Sequence, residues 1–163
     1  MILKYIYTVF LGVLLATFVG VGIAAFYPEP KYPEYPFAPQ RIYSPDEQKD
    51  STKAAEMQKQ DAEYQKVSKE FQDLSEKYNR NTSIIALTAA IIILIVSLTL
   101  VKNLVFIADG VLLGGVLTLL YSIARGFGSQ DNMFRFFVVS IGLIIALVLG
   151  YLKFIKPINK STS

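Results

Sequence analysis

Apolar and polar positions fall in blocks along this chain. Residues 83–124 are apolar almost throughout, with Lys102 and Asp109 as the only charges, and two shorter apolar blocks cover 5–26 and 134–152. An α-helix rises 1.5 Å per residue, so about 20 residues cross a hydrocarbon core roughly 30 Å thick. The central block has nearly twice that length and carries the polar pair Lys102 and Asn103 near its middle. It therefore reads as two antiparallel helices joined by a tight turn. The pattern predicts an all-α, polytopic membrane protein with four transmembrane helices. The first lies in residues 1–27, the second and third in 83–124 and the fourth in 134–152, with a short loop at 125–133 and a basic tail at 153–163.

The polar insert between the first two spans, 28–82, has two textures. Pro28, Pro30, Pro33, Pro36 and Pro39 dominate 28–43, and four of them recur every third residue, the repeat of a polyproline II helix. Ser44, Pro45 and Glu47 then supply an N-cap, a first-turn proline and the acid of a capping box, which predicts a charged helix over 45–80. Its apolar stripe is narrow: Met57, Tyr64, Val67, Phe71, Leu74 and Tyr78 follow the alternating three and four spacing of a coiled-coil seam. The two limbs match in reach, at roughly 50 Å of polyproline II against roughly 54 Å of helix. An extracytoplasmic polyproline II/α-helix hairpin is expected. In it the stripe is covered either by Tyr32, Tyr35 and Phe37 of its own limb or by another subunit. Asn81, Thr82 and Ser83 match a glycosylation sequon but stand at the membrane edge, and read as a helix-entry motif, with the continuity of the charged helix into the second span left open.

Composition agrees with the blocks. Hydrophobic residues make up 53% of the chain, above the roughly 45–50% of soluble domains. The first block is longer than the apolar region of a signal peptide, about 7–15 residues, so it is expected to stay as a span. The net charge of +3 comes from basic residues mixed with acids or placed beside span ends, which leaves the lipid bilayer, and not nucleic acid, as the expected surroundings. Lys4, Lys102, Lys153, Lys156 and Lys160 would share one side with no acid among them, whereas Arg125 and Arg135 stand near Asp131 on the other. The positive-inside rule then puts both termini in the cytoplasm and 28–82 outside the cell membrane.

Three ladders of small residues recur at four-residue spacing: Gly12, Ala16, Gly20 and Ala24 in the first span, Gly110, Gly114 and Thr118 in the third, and Gly142, Ala146 and Gly150 in the fourth. Such ladders let helix backbones approach closely. Asp109 is the anomaly, because an acid deep in a span costs roughly 2.5–3.5 kcal/mol. Tyr7, Thr8, Tyr151 and Lys153 lie at similar depth as expected partners, with protonation as the alternative. A packing role and a role in ion or proton handling both fit it.

The chain has no Cys and no His, which excludes disulfides, thiol chemistry and imidazole catalysis. No convergent polar constellation, phosphate loop or cofactor motif is present, so neither enzymatic activity nor a cofactor is expected. The sequence points to a non-enzymatic protein that works by helix association, as a homo-oligomer or with a membrane-protein partner. The alternative is a homo-oligomeric channel or transporter with Asp109 or the third span on the path.

Overall fold

The computed structural model describes residues 2–32, 51–100 and 105–155, with side chains over 2–32, 59–100 and 105–153. Among these residues the chain forms four α-helices and no strand: α1 Ile2–Phe26, α2 Ser51–Leu100, α3 Val105–Gly126 and α4 Asn132–Gly150, which passes into a π-helical turn at Tyr151–Ile155. All four are long and apolar enough to cross a membrane. The turn at Lys102 and Asn103, the cap at Ser44, the bulk of the proline limb with Tyr35 and Phe37, and Lys156 and Lys160 lie outside the described residues.

α2 answers a point that the sequence leaves open. It runs unbroken for 50 residues, about 75 Å, and carries the charged helix into the second span with no new helix start at Asn81. Asn81 and Ser83 serve neighbouring segments and not a cap. Asn81 Nδ2 donates to the Tyr27 hydroxyl at 3.0 Å, and Ser83 Oγ donates to the Ser122 carbonyl at 2.8 Å. Thr82 and Ser83 are fully buried, while Asn81 is exposed.

α3 is the helix that the others share. It packs antiparallel to α2 and parallel to α1. The α1 contact is built from glycines facing leucines: Leu11 lies over Gly110, Leu113 over Gly12 and Leu15 over Gly114. A Cβ at Gly114 would stand 2.8 Å from Leu15 Cδ2 and 3.2 Å from the Gly12 carbonyl oxygen, so the two backbones nearly touch. One residue further on, Gly115 faces α2, where a Cβ would meet Leu94 Cδ2 at 2.6 Å. Adjacent glycines thus seat α3 against two different helices.

The ladders do not pack along their whole length within the chain. Gly12 is buried and Ala16 half-buried, but Ala24 is exposed and nothing lies within 4 Å of a Cβ at Gly20. In α4, Gly142 is buried against Ile123, whereas Ala146 is exposed and Gly150 opens onto empty space. Each four-residue step turns a ladder about 40° around its helix. From Gly12 to Ala24 the drift reaches about a third of a turn, enough to carry the small residues off the contact line.

Asp131 caps α4: its Oδ1 accepts from the Met133 and Phe134 amides at 2.8 and 3.2 Å. α3 runs on to Gly126, so Arg125 belongs to its last turn and the loop to α4 is shorter than the pattern suggested.

Candidate functional site

Polar groups gather at two places, one near each end of α3. At its N-terminal end, Asp109 stands four residues inside the described helix, about 6 Å along the axis. Lys153 Nζ donates to Asp109 Oδ1. Of the expected partners, Lys153 is the one bonded to it; Tyr7, Thr8 and Tyr151 are not. A turn of i→i+5 hydrogen bonds takes in more residues than an α-turn and changes the direction in which the following side chains leave the axis, and Lys153 lies in such a turn. The lysine side chain is 25% exposed and the aspartate 38%, so the pair sits at the flank of the bundle.

The second place is where α1 leaves the bundle. Arg125 joins three segments: its Nε donates to the Tyr121 hydroxyl at 3.2 Å, and its Nη1 donates to Asn79 Oδ1 at 3.1 Å and to Glu29 Oε1 at 3.4 Å. Its guanidinium also lies 5.4 Å from the Tyr78 ring centroid and 5.7 Å from that of Tyr121, within the range of cation–π attraction. Tyr27 stacks on Tyr78 with centroids 5.2 Å apart. Glu76 Oε1 accepts from Ser129 Oγ and from the Gln130 amide, both at 3.2 Å. The sequence pattern places Arg125 in the short loop; the structure places it in the last turn of α3, between Tyr78 and Tyr121.

From this junction residues 27–32 follow α2 away from the bundle. Tyr32 meets Phe71 edge to face at 4.8 Å, and its hydroxyl lies 3.0 Å from that of Tyr64. The apolar stripe of the helix is thereby divided. Tyr64, Phe71 and Tyr78, spaced by seven, lie under Tyr27 and Tyr32, and Tyr78 is buried to 4% exposure. Val67 and Leu74, the intervening row, remain 42% and 56% exposed. Met57 belongs to the same helix, but its side chain lies outside the described residues.

Four buried hydroxyls of the spans, those of Ser83, Ser97, Thr118 and Ser122, are bonded to helix carbonyls, whereas the buried Thr82 hydroxyl has no hydrogen-bond partner among the described residues. Ser122 Oγ donates to the Ser83 carbonyl at 2.7 Å, returning the bond from Ser83. Ser97 donates to the Ala108 carbonyl and Thr118 to that of Gly114, both at 2.8 Å. Among the described residues no three potential metal ligands come together.

The fold and these two sites define an all-helical chain with four helices able to span a membrane and a long helical stem rising from one of them. Comparison with protein-family models, with curated proteins and with solved structures finds no match.

Proposed function

We propose that this is a small, non-enzymatic integral membrane protein that acts through helix–helix association, as a scaffold or accessory subunit within an oligomer. The observation that carries the reading is the half-covered stripe of α2. The row Tyr64, Phe71 and Tyr78 is occupied by the chain's own Tyr27 and Tyr32, while Val67 and Leu74 beside it stay open. Two apolar side chains held in register on a rigid helix suit the seam of a partner helix. Because α2 is continuous, a partner on the stem is coupled mechanically to the span and, through Ser83 and Ser122, to α3.

In this reading both termini are cytoplasmic, the stem is extracytoplasmic, and the proline limb continues past Tyr32 along α2 as a polyproline II strand. The open side of α1 at Gly20 and Ala24, and that of α4 at Ala146 and Gly150, are where a partner's span can approach. The test is the mass of the detergent-extracted complex together with ion flux in reconstituted vesicles. Association requires a mass above that of one chain and no flux. A conductance altered by Asp109→Asn would instead establish the homo-oligomeric channel.

A further inference from the structure

At the N-terminal end of α1 the structure forms a groove of about 570 Å³ lined by Leu3, Lys4, Ile6, Tyr7 and Phe10, with Phe106 of α3 as its far wall. This size falls within the roughly 300–1,000 Å³ of small-ligand sites. The lining is carbon almost throughout, and its charge is confined to one end. Lys4 is the only charged residue of α1, and its ammonium lies 4.3 Å from the Phe106 ring centroid. No carboxylate pairs with it among the described residues. The aromatic contact fixes the ammonium while leaving N–H groups free to donate.

Leu3, Ile6 or Tyr7, and Phe10 recur at three and four residues on one helix face, so the groove is a track about 10 Å long. Lys4 stands at its outer end and Phe10 at its inner end. A lysine near a span end extends its ammonium toward the headgroups, so the track has the polarity of a lipid: cation at headgroup level, hydrocarbon below. We propose that this groove is a binding site for an anionic phospholipid of the leaflet at the N-terminal end of α1, with the phosphate on Lys4 and an acyl chain lying along Ile6, Phe10 and Phe106. The site is independent of the stem and of any association through it.

The chain contains no Trp, so Phe106→Trp gives a single reporter that keeps an aromatic wall under Lys4. The full-length variant is reconstituted in phosphatidylcholine vesicles with equal mole fractions of either brominated phosphatidylglycerol or brominated phosphatidylcholine. The expected result is quenching that favours the anionic lipid about fivefold, the effect of one basic residue at a membrane surface. Lys4→Gln on this background abolishes the preference and Lys4→Arg keeps it. Phe136→Trp, on the exposed face of α4, shows none. Equal quenching of the Phe106→Trp reporter by both lipids overturns the proposal. So does a preference that survives Lys4→Gln, or one that appears equally at Phe136→Trp. Unchanged quenching of the Lys4→Gln protein by brominated phosphatidylcholine establishes that the groove is still formed.

Discussion

Lys153 donates to Asp109 across the interface of α4 and α3, and so ties the turn that ends the fourth helix to the beginning of the third. An unpaired charge within a span costs roughly 2.5–3.5 kcal/mol at its centre and less toward the end. Asp109→Asn and Lys153→Gln should each destabilise the folded protein by about 1–3 kcal/mol in detergent unfolding. The double variant should lose less than the sum, with a coupling of about 1 kcal/mol. Additive losses would mean that the two residues stabilise the bundle separately.

The glycines of α3 make a sharper contrast. Valine at position 114 must displace Leu15 and the backbone of α1 near Gly12. Overpacking of this kind costs about 1–3 kcal/mol. Gly114→Val should therefore lower the unfolding midpoint, while Gly20→Ala, which meets open space, should be neutral or stabilise by up to about 1 kcal/mol through reduced backbone freedom. Both are read by thermal or denaturant unfolding in one detergent.

The four spans were legible in the sequence because blocks of about 20 apolar residues have few other fates. The continuity of α2 was not. Asn81, Thr82 and Ser83 have the chemistry of a helix cap, and what uses Asn81 and Ser83 instead, Tyr27 and Ser122, lies 54 and 39 residues away along the chain. Likewise, the depth of Asp109 named Lys153 as one of four candidate partners. The selection among them is a matter of how the end of the fourth helix meets α3, and the π-helical turn at Tyr151–Ile155 that contains Lys153 has no pattern in the sequence. The division of the stem's stripe was half legible: the spacing of Tyr64, Val67, Phe71, Leu74 and Tyr78 marks a seam, but which row the chain covers itself depends on the path of residues 27–32.

Arg125 holds that path in place through Glu29 and through the ring of Tyr78, on which Tyr27 stacks. Hydrogen bonds to charged groups contribute about 1.5–3 kcal/mol, so Arg125→Ala should raise the open population of residues 27–32 about tenfold or more. Lys31 supplies a trypsin site within this segment. Cleavage after Lys31 in intact vesicles should accelerate by that factor, with cleavage after Lys66 unchanged. Equal acceleration at both sites would indicate that the whole stem had loosened.

The central claim is that the open row of α2 is an association surface, and the absence of cysteine in the chain allows a direct test. Single substitutions Val67→Cys, Leu74→Cys, Phe71→Cys and Gln72→Cys are introduced one at a time and the proteins are oxidised in native membranes. Val67→Cys and Leu74→Cys should give adducts heavier than one chain in high yield. Phe71→Cys, beneath Tyr32, and Gln72→Cys, on the opposite face, should give little. Adducts absent at both 67 and 74, or formed in equal yield at 67, 72 and 74, would contradict it.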